Sequence, residues 1–201
     1  MNFYKILNKK ECHFGLQYRF GLNIDPLEFN PSGDCSPGGI YFSREDILAF
    51  LDHGPWIRKV ILPDDAHVYE NPSYPKKWKA DRIILGEREK ITAKVIKRLI
   101  DEGADPNADN SYPLIWSTMR GNLDIVKLLI SLSNSKANNS EALRISASDG
   151  HLKTVKLLIP VSEIDDDVIN YCKKHCRNQE ILDLIISNRK GTSDELLQDL
   201  K

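Results

Sequence analysis

The sequence GNLDIVKLLI (residues 121–130) recurs 29 residues later as GHLKTVKLLI (residues 150–159), so one pattern is written twice in the chain. Apolar side chains stand at helical spacing in both copies, as at Leu123, Val126 and Leu129 in the first. Each copy therefore predicts an amphipathic helix whose apolar face needs a neighbouring element. A repeat of this length is typical of proteins built from stacked structural units, and it decides the architecture around it.

A second helix-sized segment precedes each copy, at residues 112–120 and 141–149, and joins it directly at a glycine. A helix, a tight glycine turn and another helix, repeated about every 30 residues, indicate stacked helical hairpins. Weaker copies flank the strong ones. Residues 91–107 hold the second helix and the hairpin of an opening repeat, and residues 168–186 hold a closing helix pair. The sequence thus predicts about three and a half repeats, near the minimum of three that a stacked core requires.

These repeats resemble ankyrin repeats, whose consensus reads TPLHxAAxxGHxxIVxLLxxxGADxN. The residues that match it are YPL at 112–114, GHL at 150–152 and GADPN at 103–107. The inward histidine of the family is Ile115 in one repeat and Arg144 in the next. Its usual hydrogen bond to the preceding hairpin is therefore expected to be missing. A shorter polar turn at residues 131–140 replaces one hairpin, so we expect the connection between these two repeats to project less than a usual ankyrin hairpin.

The first 90 residues carry a different pattern, in which stretches of period-two sequence alternate with turn residues. We predict a helix at 44–53, a long loop at 21–39, a bridge at 67–69, and strands at 1–8, 12–20, 38–42, 56–62 and 78–85. A loop of that length is uncommon in a compact domain unless it binds something or folds on itself. The order looks like the N-terminal segment that precedes ankyrin repeats in many proteins of amoeba-infecting giant viruses, a resemblance that implies an origin and no activity.

The predicted fold class is therefore α+β. A small mixed α+β N-terminal domain at residues 1–90 is followed by an α-helical ankyrin-repeat stack at residues 91–187. Residues 188–201 are expected to form a C-terminal tail, in which Thr192 and Glu195 have the spacing of a capping box.

Charge and cysteine content bear on the kind of partner and on location. Residues 1–90 carry 13 basic and 13 acidic side chains and residues 91–201 carry 15 and 16, so neither half has the basic excess that nucleic acid or an anionic membrane requires. No apolar run approaches the ~18 residues of a membrane span, and no signal peptide is expected. The four cysteines follow no disulfide framework, so we expect an intracellular protein with reduced thiols.

One enzymatic hypothesis comes from the N-terminal half. His13, followed by Gly15 and later by the GGIYF strand that contains Tyr41, is similar to the order of elements in ADP-ribosyltransferases. In that family the histidine strand binds nicotinamide ribose and a later strand carries a catalytic glutamate. The corresponding strand here offers only Asp81, which is one methylene shorter, and a displacement of about an ångström can cost 10²-fold in rate. The alternative is that His13 and Tyr41 are interior strand residues.

Two clusters have metal-like composition. Cys172, His175 and Cys176 share one short stretch, but a structural zinc site needs four ligands and no second pair is nearby. The acidic run at residues 165–167 precedes a predicted helix, where the helix dipole favours negative charge. We therefore predict no metal, no cofactor and no catalytic residue.

The ankyrin resemblance implies a protein partner, bound through hairpin tips and the two residues before each helix-turn glycine. Trp116 is added because interface hot spots favour tryptophan, although packing between repeats is its alternative role. The predicted partner-binding residues are Asp109, Ser111, Trp116, Met119, Arg120, Asn138, Ser140, Ser148 and Asp149. We expect a monomeric, non-catalytic module that acts on a host or viral protein, in the cytoplasm of an infected host cell or in the virion. The alternatives are a transferase whose repeats present its substrate and a structural component of the virion.

Overall fold

The computed structural model describes residues 2–32 and 36–189, and the chain divides into two compact units, Met1–Tyr112 and Pro113–Lys201. Strands dominate the first unit and helices the second, which confirms the α+β class. The predicted domain limits at 90 and 187 follow the repeat pattern, whereas these units follow spatial contacts, and the limits stay predictions. The capping box predicted at Thr192 and Glu195 lies outside the described residues.

The first unit is built from antiparallel sheets. A four-stranded sheet has the order β1-β6-β9-β4, a three-stranded sheet has the order β5-β8-β7, and β2 and β3 form a hairpin. The strands are β1 Phe3–Leu7, β2 Cys12–His13, β3 Leu16–Gln17, β4 Gly21–Ile24, β5 Ile40–Phe42, β6 Trp56–Ile61, β7 Val68–Asn71, β8 Lys77–Ala80 and β9 Arg82–Lys90. Alternate residues of these strands face one apolar core, which includes Phe42, Val60, Trp78 and Leu85.

Several boundaries in this unit differ from the predicted ones. The strand predicted at 12–20 is the β2–β3 hairpin, because Phe14 and Gly15 have positive φ values of 48° and 81° and reverse the chain. The strand predicted at 78–85 is broken at Asp81 into β8 and β9. The loop predicted at 21–39 contains β4, and the predicted helix is a 3-10 helix, Ile47–His53. The period-two apolar pattern of residues 14–20 continues through the reversal at Phe14 and Gly15, so the prediction followed the pattern and passed over the turn-forming glycine.

The single helix of the opening repeat is tied to the strands of the first unit. Helix α1, Ala93–Asp101, is capped by Thr92, and its buried residues are Val95, Ile96 and Leu99. Arg98 donates hydrogen bonds of 2.8 Å to both carboxylate oxygens of Glu89 at the end of β9. Just beyond the helix, Glu102 accepts a 2.7 Å hydrogen bond from the Tyr4 hydroxyl of β1. Helix α1 thus completes the first unit.

We expect a fragment of residues 91–201 to be insoluble or molten. Cutting at residue 90 leaves α1 without the strands and exposes its three buried aliphatic side chains, Val95, Ile96 and Leu99, to water. Thermal unfolding followed by circular dichroism, with the full chain as control, checks this expectation. A monomeric fragment with a sharp melting transition would contradict it.

The second unit contains the predicted helix pairs. They are α2 Ala108–Met119, which begins in the first unit, α3 Leu123–Leu129, α4 Ala137–Ser148, α5 Leu152–Leu158, α6 Asp166–His175 and α7 Gln179–Ser187. In the two copies of the repeated pattern, Val126 and Leu129 of α3 and Val155 and Leu158 of α5 are buried, and Leu123 is half-buried. The helix phase deduced from the sequence is therefore confirmed. None of the helices in the described residues is long and apolar enough to cross a membrane.

Helices α2 and α4 begin in the same unusual way. Residues 109–111 and 138–140 each place three successive residues in the left-handed region, with φ between 50° and 63°. Aspartate and asparagine occupy most of these positions, and they tolerate this conformation better than other residues with a side chain. Arg144 donates hydrogen bonds to the carbonyl oxygens of Asn138 and Asn139 at 2.8 Å and 3.0 Å. The expectation that Arg144 would make no hydrogen bond to its preceding turn was wrong, because the long arginine side chain reaches the backbone of that turn.

Candidate functional site

Three of the predicted partner-binding residues share one face of helix α2. Trp116, Met119 and Arg120 are spaced i, i+3 and i+4, which aligns side chains on a helix surface. Met119 is 50% exposed and Arg120 is also exposed, whereas Trp116 is half-buried. The indole Nε1 of Trp116 has no hydrogen-bond partner among the described residues, so packing alone holds this ring.

The next repeat presents the corresponding positions of α4. Asp149 is exposed and Ser148 is half-buried at its C-terminal end, and exposed Asn138 lies in the left-handed turn at its start. Asn138 donates a 2.9 Å hydrogen bond to Glu141. We call Trp116, Met119, Arg120, Asn138, Ser148 and Asp149, all in the second unit, the inner-helix surface.

The remaining predicted residues belong to the two left-handed turns. Asp109 is exposed in the first unit, and its backbone amide donates to the Tyr74 hydroxyl. Ser111 is buried and its hydroxyl donates a 2.9 Å hydrogen bond to Asn107. Ser140 is fully buried, donating to the carbonyl oxygen of Glu163 and accepting from the amide of Glu163, both at 2.9 Å. The hydroxyls of Ser111 and Ser140 therefore stabilise the turns and are not part of the inner-helix surface.

The sequence analysis missed the equivalent positions of the last repeat. Asn122 and Asn178 cap helices α3 and α7 in the same way, each accepting a hydrogen bond from the amide three residues on. Counting back from these caps, His175 and Cys176 correspond to Met119 and Arg120. His175 is exposed at the end of α6. Aligning the two asparagine caps would have found it, whereas a search for glycine did not, because Arg177 stands where the other repeats have glycine.

A cavity of about 360 Å³ lies within the first unit. Strand β1 contributes Lys5 to its wall, strand β5 contributes Tyr41 and Phe42, and the residues His13 and His53 come from the β2–β3 hairpin and the 3-10 helix. Lys5 is only 7% exposed, and its ammonium donates a 2.6 Å hydrogen bond to the carbonyl oxygen of Tyr41. Burial lowers the pKa of Lys5 to about 7, because a charged amine is poorly solvated there.

The structure does not assemble the constellation of the transferase hypothesis. His13 and Tyr41 both line the cavity, but Asp81 is not among the described residues of its wall. The Asp81 carboxylate accepts hydrogen bonds from the His67 amide at 2.9 Å and from Arg82 at 3.1 Å. Burial opposes its ionisation, but these hydrogen bonds prevail and lower the pKa of Asp81. The carboxylate is thus held at the junction of β8 and β9.

The cysteines of helix α6 and the residue after it are possible metal ligands by residue type. Within residues 2–32 and 36–189, no three histidine, cysteine or acidic side chains come close enough to hold a metal ion. Cys172 is buried in α6, and burial raises the pKa of its thiol to about 11. Such a thiol is protonated and inert at neutral pH.

Comparisons with known proteins cover the repeats and up to about two thirds of the chain. The family model for ankyrin repeats in three copies matches residues 88–170. The ankyrin repeat protein R229 of Acanthamoeba polyphaga mimivirus is 39% identical over 140 residues, covering 62% of this chain and 46% of that protein. The ankyrin repeat protein R868 of the same virus is 37% identical over 139 residues, covering 64% of this chain and 66% of that protein.

A third relative is matched nearly from end to end. The uncharacterized protein R869 of Acanthamoeba polyphaga mimivirus is 36% identical over 138 residues, which cover 64% of this chain and 96% of that protein. The chain spans about half to two thirds of the length of the two ankyrin repeat proteins above. With the repeats matched by the family model and the helix pairs in place, the chain belongs to the ankyrin repeat family and is similar to members of it from a giant virus.

Proposed function

We propose that the chain is a non-catalytic module that binds another protein through the inner-helix surface. The observation that carries this proposal is that exposed Met119 and Arg120 and half-buried Trp116 share one helix face. Tryptophan, methionine and arginine are enriched in protein interfaces, whereas lysine and glutamate are depleted there. The set contains neither lysine nor glutamate. Ankyrin repeats typically serve as protein-interaction modules, and their rigid stacking keeps the cost of ordering low on binding.

The chemistry of this surface indicates what kind of partner it fits. Trp116 and Met119 offer apolar area, and Trp116 can be covered by a partner without breaking an internal hydrogen bond of its indole. Arg120 and Asp149 stand at equivalent positions of successive repeats with opposite charges. A partner segment with an apolar residue between an acidic and a basic one would complement all of them. Such a partner is a host or viral protein, met in the cytoplasm of an infected cell or in the virion.

A site-specific crosslinking experiment tests where the partner binds. A photo-reactive phenylalanine analogue replaces Met119 on the inner-helix surface, or Lys127, which is exposed on helix α3, as the matched control. Both variants are produced in amoebae infected with a giant virus and irradiated, and crosslinked proteins are identified by mass spectrometry. We expect one protein to be captured at position 119 and not at position 127. Detection of the chain in purified particles separates the virion from the host cytoplasm.

We expect Trp116→Ala to weaken binding of the captured partner by at least ~30-fold, about 2 kcal/mol, as for an interface hot spot. Its cost in stability should be no more than about 2 kcal/mol, because the ring is only half-buried. Arg120→Ala should weaken binding with unchanged stability. Titration calorimetry and urea unfolding measure the two effects. If both variants bind as tightly as the wild type, the inner-helix surface is excluded and residues 21–39 become the next candidate.

A further inference from the structure

We propose that the cavity of the first unit binds a small organic anion with a flat apolar body, whose charged group is bound at Lys5 and whose body lies against the aromatic rings of the wall. The volume of about 360 Å³ falls within the range of roughly 300–1,000 Å³ that is usual for small-molecule sites. This proposal is independent of the inner-helix surface, since every described residue of the wall belongs to the first unit.

The wall suits a flat apolar body. Its buried part includes the apolar residues Phe42 and Ile47, which are 3% and 1% exposed, beside the buried polar residues Lys5 and Ser43. Four further rings follow one another along the wall; Phe50 is half-buried, and His13, Phe14 and His53 are exposed. Ring centroids are 5.5 Å apart for Phe50 and His53, 6.4 Å for His53 and His13, and 4.1 Å for His13 and Phe14. Aromatic rings at such distances stack or tilt favourably against a further planar ring.

The charged residues of the wall favour a ligand with a negative charge. Lys5, Lys77, His13 and His53 line the cavity, and none of the described wall residues is an aspartate or a glutamate. The nearby Glu11 carboxylate is bound by Arg58 at 2.9 Å, so it is already neutralised. A buried ammonium is stabilised by a paired anion, and Lys5 has three protons of which the Tyr41 carbonyl accepts one. A ligand carboxylate could accept another.

Neighbouring positive charges are among the causes that lower the pKa values of the two histidines in the wall. Burial lowers the pKa of His13, and the positive charges of Lys5 and His53 lower it further. Burial also lowers the pKa of His53; Asp52 opposes this shift, and Lys5 and Lys77 add to it. An anion placed among these groups would be attracted by the same charges that disfavour protonation of the imidazoles.

A series of three planar probes with matched size tests the proposal on the full chain. The probes are 2-naphthoate, the neutral 2-naphthamide and the cationic 2-naphthylmethylammonium, and binding is followed by NMR through the ring signals of the histidines. A ligand of this size is expected to bind with a Kd of about 1 mM. We expect 2-naphthoate to shift the signals of His13 and His53, to leave those of His67, His151 and His175 in place, and to bind at least ~10-fold more tightly than the amide.

Variants then locate the charged contact. Lys5→Met keeps an unbranched side chain without charge, and it should weaken 2-naphthoate at least ~10-fold while leaving 2-naphthamide unchanged. Lys59→Met, an exposed position on β6, is the matched control and should change neither Kd. The proposal is overturned if 2-naphthoate does not bind or if it binds no more tightly than 2-naphthamide. It is also overturned if 2-naphthoate shifts the NMR signals of histidines outside the cavity. The probe series uses the wild-type chain, so it decides the question even if Lys5→Met does not fold.

Discussion

We expect Leu129→Ala to lower the free energy of unfolding by about 2–5 kcal/mol. Leu129 is fully buried in the last turn of α3, so its truncation leaves a cavity between helices that cannot move together freely. Its carbonyl oxygen also accepts hydrogen bonds from the amides of Leu132 and Ser133 at 2.9 Å and 2.8 Å, which fix the chain after the helix. Relaxation that would fill the cavity is thereby restricted.

The matched control is Lys127→Ala, two positions earlier on the exposed face of the same helix, where a change within about 0.5 kcal/mol is expected. Urea unfolding followed by circular dichroism measures both variants. Short repeat stacks are marginally stable, so Leu129→Ala is also expected to unfold substantially at 37 °C. Equal losses for the two variants would contradict the helix phase that the sequence assigns to α3.

The second large effect that we expect is a rise in stability with pH that depends on Lys5. Its pKa is about 7 in the folded chain against 10.5 for an unperturbed lysine, so between these values the unfolded state binds more protons than the folded state. The free energy of unfolding therefore increases as pH rises through this window. Between pH 7 and pH 9 the increase amounts to about 2–3 kcal/mol.

Between pH 7 and pH 9, the other groups with shifted pKa values contribute little to the change in stability. His13 and His53 have lowered pKa values and titrate below pH 7. Cys172, with its pKa raised to about 11, and Tyr4, with its pKa raised to about 12, keep their protons longer when folded, so they reduce stability mainly above pH 9. Urea unfolding at several pH values should show the slope in the wild type and in Lys59→Met, and a flat profile in Lys5→Met. A slope that persists in Lys5→Met would show that its amine is not the group responsible.

Much of the second unit could be predicted from the sequence. The repeat of 29 residues located the helix pairs, and the apolar spacing assigned Leu129 and Leu158 to buried positions that they occupy in the structure. This works because each helical hairpin contacts mainly its neighbours in sequence, so local periodicity carries most of the information about packing. Met119 and Arg120 were named from the ankyrin resemblance and Trp116 from its residue type, and the i, i+3 and i+4 spacing of the three aligns them on one helix face.

Other features of the repeats depended on backbone conformation that the pattern did not show. Ser111 and Ser140 were predicted at a binding surface, yet the left-handed turns before α2 and α4 leave them buried with hydrogen-bonded hydroxyls. Three successive residues in this conformation are rare, so no propensity scale would predict them. Arg144 likewise donates hydrogen bonds to the backbone of its preceding turn, which the replacement of the usual histidine did not suggest.

By itself, the sequence determined the repeat and the faces of the repeat helices, because these follow from local spacing, and its motifs carried the resemblance to the ankyrin family. The tertiary structure alone decided the cavity of the first unit. Lys5, His13, Tyr41 and His53 come from four different elements. They line one cavity because the bridge between Tyr4 and Ser43 joins β1 to the end of β5, while the hairpin and the 3-10 helix complete the wall. Which strands pair, and how deeply a lysine is desolvated among them, depend on non-local contacts that no local pattern encodes.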